Sequence, residues 1–321
     1  MNGISVETAQ RRLPSGLFAE LPFRWLTFGA AMLVMAMLGS MLVVLTIDSS
    51  PALGKFGLNF LVSSTWNPVT EIFGAAAPIA GTLITALIAM VVGTPVALGV
   101  AIFLNEICPH RLSGPLAVAI ELLAAVPSII YGMWGLFVLA PLLGAHVYPA
   151  LIALLGPIPV IGALFQGPPF GIGMLTAGLI LAVMVLPFIA SVARQVLSTV
   201  PPMLREAAYG VGATTWEVAR YVLIPYCRRG LIGGVMLGLG RALGETMAVT
   251  FVIGNAHRIS ASLLQPGTTI SATLANEFTE ANGDLYVSSL VSLGLILFAV
   301  TFGVLLCARF LLAQADRRAA L

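Results

Sequence analysis

The sequence predicts an all-α polytopic membrane protein with six transmembrane helices and both termini in the cytoplasm. Hydrophobic residues make up 59% of the 321 residues, charged residues only 9%, and the mean hydropathy is +1.03. A soluble domain has about 25% charged residues, so most of this chain is expected to lie in lipid. Six stretches are apolar over the roughly 20 residues that a membrane-crossing helix needs. They are Trp25–Ile47, Ala75–Leu104, Leu116–Gly144, Gly173–Ala193, Leu231–Ile253 and Tyr286–Phe310.

The first stretch is predicted to be an uncleaved span. Arg11 and Arg12 precede it as in a signal peptide, but the apolar core is too long and no small-x-small cleavage site follows before Asp48. We therefore expect a cytoplasmic N-terminal segment at residues 1–24, a membrane domain at 25–311 and a cytoplasmic tail at 312–321.

The arginines predict the orientation, because segments that stay in the cytoplasm carry an excess of Lys and Arg. With the N-terminus inside, the outside loops hold only Lys55 and Arg258. The inside segments hold Arg11, Arg12, Arg24, Arg111, Arg194, Arg205, Arg220, Arg228, Arg229, Arg309, Arg317 and Arg318. This asymmetry places both termini in the cytoplasm.

The third and fourth stretches are separated by a proline-rich segment, Ala145–Ile172. Its prolines predict an outside loop that dips into the interface, with a re-entrant segment as the alternative and a seventh span less favoured. Within the third stretch, Glu121 is expected near the cytoplasmic interface in a structural role. Pro127 and Ser128 are expected to break that helix near its middle, where freed carbonyls need partners or line a cavity.

The outside loops Ile47–Gly74 and Gly254–Leu285 are long enough to carry structure. The second contains an apolar-polar pattern at Ile270–Phe278 that is compatible with a short amphipathic helix. Two interpretations remain open, since such a helix either meets an extracytoplasmic partner or caps the bundle.

The inside loop Arg194–Gly230 predicts two short helices that form a compact cytoplasmic knob. Prolines at 201 and 202 suit a first turn, and the pattern from Met203 to Val211 is helical until Gly212 stops it. Thr214 and Glu217 form a capping box that starts the second helix. Pro225 and the two arginines that follow are expected to close the loop.

Two opposite charges lie in the fifth stretch. Arg241 is expected about 15 Å into the membrane, where a charge costs roughly 2.5–3.5 kcal/mol. Glu245 is expected one turn further on the same face. Either Arg241 offers a forked donor to an oxyanion, with Glu245 holding it when the site is empty, or the pair clamps helices together. With Thr246, these residues form the predicted substrate path.

Nearby glycines allow close helix packing or leave room for a ligand. They are Gly234, Gly238 and Gly244.

The knob resembles the loop by which permeases of ABC importers dock on their ATPase. In that family the pattern is Glu-Ala-Ala, three residues, Gly, nine residues and Ile-x-Leu-Pro. Here Glu206-Ala207-Ala208 and Gly212 match, with Val222 and Ile224 as conservative departures before Pro225. The resemblance implies the type I ABC-importer permease architecture, with ATPase coupling through a short set of residues. That set is Arg205, Glu206, Ala207, Ala208, Tyr209 and Gly212.

The segments around Arg241–Val249, Glu121–Leu136 and Leu274–Phe278 resemble the phosphate-specific branch of that family, over roughly residues 55–312. The resemblance implies four kinds of partner: a second, homologous permease, a dimer of ATP-binding subunits, an extracytoplasmic phosphate-binding protein and the lipid bilayer. It implies no cofactor in this chain, because ATP and Mg²⁺ are bound by the partner ATPase.

Other functional classes are less favoured. The sequence lacks His-Glu-x-x-His, and its sole lysine, Lys55, is not in a phosphate-binding Gly-Lys-Ser/Thr loop, so neither a zinc enzyme nor a self-contained ATPase is expected. No metal site is predicted. A secondary transporter with a buried Arg/Glu pair is one alternative, and a permease for sulfate or molybdate is another.

Overall fold

The computed structural model describes the backbone of residues 17–319 and the side chains of residues 22–310. The predictions for Arg11, Arg12, Arg317 and Arg318, and the ends of both predicted terminal segments, lie outside these described side chains. Within the described chain there are fourteen α-helices and no strand, only one isolated bridge between Asn67 and Ile72. The helices are α1 Leu17–Phe56, α2 Asn59–Val62, α3 Ala76–Ile102, α4 His110–Ala124, α5 Ser128–Trp134, α6 Ala140–Leu142, α7 Tyr148–Leu155, α8 Met174–Ser198, α9 Pro202–Gly210, α10 Thr215–Val218, α11 Ile224–Gly244, α12 Met247–Ile253, α13 Ile270–Glu277 and α14 Asp284–Ala319.

The chain divides into two compact units after Asp48. In the first unit, α1 carries exposed apolar side chains such as Phe23, Leu33 and Val43. A helix that is apolar on every side is suited to lipid. The second unit, which begins at Ser49, contains the rest of the chain.

Six helical stretches are long and apolar enough to cross a membrane, as predicted. They are Pro22–Phe56, Ala76–Ile107, Ser128–Leu155, Met174–Ser198, Thr215–Gly244 and Asp284–Phe310. The predicted bounds of the third and fifth spans are wrong.

The third span runs over Ser128–Leu155, not Leu116–Gly144. The predicted break at Pro127 is confirmed, but it ends α4 at Ala124 and starts a new helix, rather than interrupting one span. Residues 145–155, predicted as part of a loop, complete the span instead.

The bounds of these two spans were predicted wrongly because helices were expected to end at prolines. In the structure, π-helical turns let the helices continue past them. Such turns at Gly135–Leu139, Leu143–Val147 and Ala219–Leu223 each end two residues before a proline, at Pro141, Pro149 and Pro225. A proline clashes with the carbonyl four residues earlier, and in all three cases that residue is the centre of the π turn. Local π adjustment lets a membrane helix accept proline. The fifth span therefore starts at Thr215, so Pro225 does not close the loop.

The core of the second unit is built on α3 and α8. Small residues bring the two helices close together: a Cβ at Gly93 would approach the Ala182 carbonyl to 3.2 Å, and one at Gly178 would approach Ile88 to 2.6 Å. Membrane helices pack in this way because small side chains let their backbones approach. Side chains of α11, α12 and α13 complete the same cluster.

The two ends of α3 lie in different apolar clusters. We call the corresponding ends of the second unit the Glu206 end and the Glu277 end, each after a glutamate located there. Around Ala101 is the Glu206 end, which includes Leu197, Val218 and Leu223. Around Ala75 is the Glu277 end, which includes Phe60, Phe73 and Ile270. The helix between them is 27 residues long, or about 40 Å.

The predicted helix at Ile270–Phe278 is confirmed as α13, Ile270–Glu277. Its first four residues are buried, from Ile270 to Thr273. The Thr269 side chain accepts a hydrogen bond from the Ala272 N–H at 3.1 Å, which caps the helix. Of the two open interpretations, the burial favours the one in which this helix caps the bundle.

Candidate functional site

The fifth span ends where its charged residues lie. Helix α11 stops at Gly244 and α12 begins at Met247, with Glu245 extended between them at φ −70° and ψ 131°. The prediction that Glu245 lies one helical turn beyond Arg241 on the same face is therefore wrong. Instead, the Glu245 carboxylate accepts a hydrogen bond from the Ala248 N–H at 3.4 Å. The Thr246 hydroxyl donates to the Gly244 carbonyl at 3.4 Å. The side chains of Glu245 and Thr246 thus both form hydrogen bonds to the backbone at the helix break.

Arg241 is exposed on the last turn of α11. Among the ion pairs of the described residues, none joins it to Glu245, so the predicted charge clamp does not form within this chain. Its guanidinium lies close enough to Tyr131 for its charge to act on the phenol. Arg241 therefore presents free donors beside the break, next to the first turn of α5.

A second break lies against the first. The Tyr131 hydroxyl donates to the Leu123 carbonyl at 2.8 Å, across the gap between α4 and α5. This satisfies one of the carbonyls that the Pro127 break was expected to free. A Cβ at Gly132 would lie 3.1 Å from both the Met247 carbonyl oxygen and the Ala248 Cα, so α5 packs on the start of α12. Tyr131 was missed, although the Pro127–Ser128 signal pointed to its neighbourhood.

Two of the three predicted glycines serve helix packing. A Cβ at Gly234 would approach Val192 to 2.9 Å, and one at Gly238 would approach Ile189 to 2.6 Å, both on α8. Gly244 has open space around it at the helix break. The close-packing interpretation therefore holds for the first two, and only the last leaves room.

The knob at the Glu206 end has one separate helix. Its first helix, predicted from Met203, is α9, and Gly212 makes the bend with φ +87°. This left-handed conformation favours glycine. The capping box is confirmed, because Thr214 N donates to the Glu217 carboxylate at 2.7 Å and Glu217 N to the Thr214 hydroxyl at 3.3 Å. The helix that follows Thr214 continues into the fifth span, so the second short helix of the prediction is its first turn.

The face of α9 that is turned away from the bundle is open. Glu206 and Ala207 are exposed on this face, and Met203 is 77% exposed. Tyr209 is 40% exposed but lies on the inward side, where its hydroxyl donates to Glu106 at 3.3 Å. Ala208 is partly buried against the cluster of this end. Arg205 turns inward instead, towards Glu106 at the end of the second span, with Nη1 and Oε1 3.1 Å apart. Glu121, which is also near this end, pairs with Arg194 at 3.8 Å, in line with a structural role.

At the Glu277 end, residues from three segments contact one carboxylate. The sequence did not indicate this cluster. Glu277 accepts hydrogen bonds from Trp66 Nε1 at 2.6 Å and from the Tyr286 hydroxyl at 2.8 Å, and His257 Nε2 lies 2.7 Å away. The Trp66 and His257 rings stack, with centroids 5.1 Å apart. We call these four residues the Glu277 cluster.

The residues of the Glu277 cluster stabilise the charged form of the Glu277 carboxylate over the protonated form. Burial raises the pKa of Glu277, but the hydrogen bonds from His257, Tyr286 and Trp66 and the charge of His257 outweigh it, so its pKa lies below the ordinary value. Since the Glu277 carboxylate is fully engaged by the protein itself, it is not available to a ligand.

Of the predicted path residues, Arg241 has the side-chain chemistry that suits an oxyanion. A guanidinium fork can donate two parallel hydrogen bonds to an oxyanion. Among the side chains of residues 22–310, none forms an ion pair with Arg241, which lies beside a pair of adjacent helix breaks. The fifth span runs over Thr215–Gly244, so Arg241 lies near the end of this span and not, as predicted, about 15 Å from its start.

Comparison with known proteins places the chain among transport components. The family described as "Binding-protein-dependent transport system inner membrane component" matches residues 93–320.

Curated relatives extend the match over nearly the whole length. The phosphate transport system permease protein PstC of Mesorhizobium japonicum is 60% identical over 92% of this chain and 90% of its own length. The protein of the same name from Haemophilus influenzae is 52% identical over 96% of this chain and 97% of its own length. A probable PstC of Methanocaldococcus jannaschii is 38% identical over 87% of this chain and 89% of its own length.

Two solved structures show the same fold. One is a chain of a bacterial alginate ABC transporter in complex with its alginate-bound periplasmic protein, with a TM-score of 0.60, 15% identity, and coverage of 91% of this chain and 96% of that chain. A second alginate importer structure gives a TM-score of 0.57 at 14% identity, covering 92% of this chain and 97% of that chain. At such identities the likeness concerns the fold alone.

Proposed function

The chain belongs to the family of binding-protein-dependent transport system inner membrane components, and from that premise we propose that it is the permease subunit of an ATP-driven phosphate importer. It is a multi-pass membrane protein and a transport subunit. One observation carries the choice of phosphate: relatives 52% and 60% identical over at least 90% of both chains are named phosphate permeases.

We place the Glu206 end in the cytoplasm. The support is the distribution of arginines. Arg205 lies in α9, and Arg194 and Arg220 lie close to it in the sequence, while the outside loops contain only Lys55 and Arg258. Both termini then face the cytoplasm. The Glu277 end faces the opposite side, where a phosphate-binding protein delivers its cargo.

The exposed face of α9 is proposed as the docking site for an ATP-binding subunit. A short helix that lays one face into a groove is a common recognition mode. Ala207 lets that face approach closely, and the exposed Glu206 supplies a charge that fixes its register. Gly212 provides the turn that presents the helix. Arg205 is engaged by the bundle, so we assign it to holding α9 rather than to touching the ATPase.

The complete importer, in this proposal, has four kinds of subunit. A second, homologous permease shares the translocation path, two ATP-binding subunits dock below, and the phosphate-binding protein docks above. ATP and Mg²⁺ are bound by the ATP-binding subunits, and this chain contributes no catalytic group to hydrolysis.

Arg241 is proposed as the anion-binding residue of the path, beside Glu245 and Thr246. Because Glu245 is held by the start of α12, it leaves the donors of Arg241 free for an anion. Its negative charge nearby limits how tightly that anion is held. A transport site needs this balance, since the cargo must leave as well as enter.

The proposed transport cycle uses these parts in turn. ATP binding closes the two ATPases, and their movement displaces α9. The spans switch from inward-open to outward-open, and phosphate passes from the binding protein into the path beside Arg241. Hydrolysis resets the spans, and phosphate leaves on the cytoplasmic side.

Uptake by the reconstituted complex tests the proposal. Proteoliposomes that contain both permeases and the ATPase dimer, with ATP inside, should accumulate ³²P-phosphate from loaded binding protein. Accumulation should stop when the ATPase subunit or ATP is omitted. Uptake that persists without the ATPase would indicate a secondary transporter. Sulfate or molybdate carried in preference to phosphate would indicate a permease for that oxyanion.

A further inference from the structure

We propose that Glu106 is a positioning residue for transport: it is the point through which movement of α9 reaches the α3–α8 core. This inference rests on the proposed function, because it assigns a route for the coupling between ATPase and path. Glu106 lies in the π turn Phe103–Ile107 that continues α3, far from Arg241 in sequence.

The carboxylate of Glu106 is buried at the interface with α9. Its side chain is 4% exposed, and Arg205 Nη1 lies 3.1 Å from Oε1. The Tyr209 hydroxyl donates to Oε2 at 3.3 Å. Arg205 and Tyr209 are four residues apart, so they project from one face of α9, one turn apart. A buried carboxylate is strongly unfavourable unless such partners compensate it. Glu106 and α9 therefore depend on each other.

Apolar packing contributes little to the position of α9. None of its residues is fully buried, and Ala208 is the one that packs partly against the cluster of this end. The described contacts of α9 with the body of the second unit are thus mainly polar. Removing the Glu106 carboxylate should loosen the helix without disturbing a hydrophobic core.

Arg205 also connects α9 to the second core helix. While Nη1 faces Glu106, Nη2 donates to the Leu197 carbonyl at the end of α8, at 2.7 Å. An arginine fork can reach both acceptors at once, whereas a lysine ammonium is a single point charge. One side chain of α9 therefore holds the ends of both α3 and α8.

The connection continues from α8 to the proposed anion site. Three glycines of α11 pack on valine and isoleucine side chains of α8, and a Cβ added at each glycine would approach its neighbour to 2.6, 2.9 and 2.6 Å. The pairs are Gly230 with Val196, Gly234 with Val192 and Gly238 with Ile189. Three residues after the last of these glycines is Arg241. A displacement of α9 that moves α8 consequently moves the helix that carries Arg241.

The test compares Glu106→Gln and Glu106→Ala in the assembled complex. Both variants should retain the ATPase subunit, because the outer face of α9 is unchanged, and basal ATP hydrolysis should persist. Phosphate uptake, and the stimulation of hydrolysis by loaded binding protein, should fall about tenfold, the size expected for losing a hydrogen bond to a charged group. Arg205→Lys should also lower uptake, since a lysine cannot hold Glu106 and Leu197 together.

Glu121→Ala is the matched control. Glu121 is also paired with an arginine near this end, at 3.8 Å from Arg194, but it is half-exposed and its ion pair does not involve α9. It should transport at nearly the wild-type rate. If Glu106→Gln couples hydrolysis to uptake as the wild type does, Glu106 is not the transmission point.

Hydrogen exchange provides a readout that needs no transport. In the Glu106→Gln complex without nucleotide, the backbone amides of residues 203–210 should exchange faster, while those of α8 stay unchanged. Unchanged exchange in α9 would overturn the inference. If the wild-type complex carries an anion other than phosphate, the proposed cargo fails, yet both comparisons can still be made with that anion.

Discussion

Each end of the second unit holds one carboxylate in a set of polar contacts, buried for Glu106 and partly buried for Glu277, and the two sets of contacts differ. At the Glu277 end, Trp66, His257 and Tyr286 come from three separate segments and lie 2.6, 2.7 and 2.8 Å from Glu277. At the Glu206 end, both partners of Glu106 come from one short helix, at 3.1 and 3.3 Å. Among the described residues, each end also has buried polar atoms without a hydrogen-bond partner: Glu106 Oε1 and Arg205 Nε at one end, and His257 Nδ1 at the other.

The difference indicates a fixed end and a movable end. The Glu277 cluster ties loops and helices into the apolar cluster around Phe73, which its aromatic rings extend. The Glu106 contact attaches a single helix with no buried residue, by longer polar contacts. The proposed role of α9, in which an ATPase displaces it in every cycle, needs an attachment of the second kind. The proposed anion site lies between these two ends.

The largest loss of transport should come from that middle region. Arg241→Ala is expected to reduce phosphate uptake by about 100-fold or more, because it removes a charge-assisted fork for the anion. The complex should still assemble, and both ends should remain intact. Uptake and co-purification of the subunits measure the two effects.

Arg258→Ala is the control for this change, since it removes another exposed arginine outside the proposed path. It should leave uptake nearly unchanged. Failure of the Arg241→Ala complex to assemble would support the helix clamp, here with a partner that lies outside this chain.

A charge reversal on the outer face of α9 should have the next largest effect. Glu206→Lys is expected to release the ATPase or to uncouple hydrolysis from uptake, with a fall of about tenfold or more in transport. ATPase binding to the purified permease pair measures the first outcome. Undisturbed binding together with undisturbed transport would count against docking through α9.

A substitution at the fixed end should lower the stability of the protein rather than its transport activity. Glu277→Gln is expected to destabilise the protein by about 2 kcal/mol, because three donors lose a charged acceptor. Thermal unfolding of the purified complex measures this, and transport per folded complex should be retained. The exposed neighbour Glu280 offers the control substitution Glu280→Gln, which should unfold like the wild type. A large loss of transport in folded Glu277→Gln complexes would contradict the assignment of this end as fixed.

The smallest expected effect is a dependence of stability on pH. Because the pKa of folded Glu277 lies below its ordinary value of 4.5, the cluster stabilises the fold fully above pH 4.5. That contribution is lost as the pH falls through the lowered pKa. Unfolding temperatures measured from pH 6 downward should thus fall more steeply in the wild type than in Glu277→Gln. Parallel curves would show that Glu277 is not selectively stabilised in its charged form.

The six spans and helix α9 were predictable because their signals are local. Apolar length defined the spans, and the Thr214–Glu217 box and Gly212 marked the turn after α9. The errors arose at Pro149 and Pro225, where the sequence alone does not reveal that a preceding π turn accommodates the ring. Glu245 was misplaced because α11 was assumed to continue past Gly244, a residue that weakens helices.

The contacts of Glu106 and Glu277 could not be identified from sequence patterns. Glu106 and Tyr209 are separated by 103 positions, and Trp66 and Glu277 by 211. Only the folded chain brings such residues together. Tyr131 belongs to the same class, since its relation to Arg241 depends on the packing of α5 against α12.

The role of Arg241 is tested most directly by a structure of the assembled complex with phosphate trapped in the path. A hydrolysis-deficient ATPase holding ATP and loaded binding protein should capture that state. The account predicts phosphate oxygens within hydrogen-bond distance of the Arg241 guanidinium, beside the break at Glu245 and Thr246. Phosphate bound elsewhere, with Arg241 paired to a carboxylate of the second permease, would contradict it.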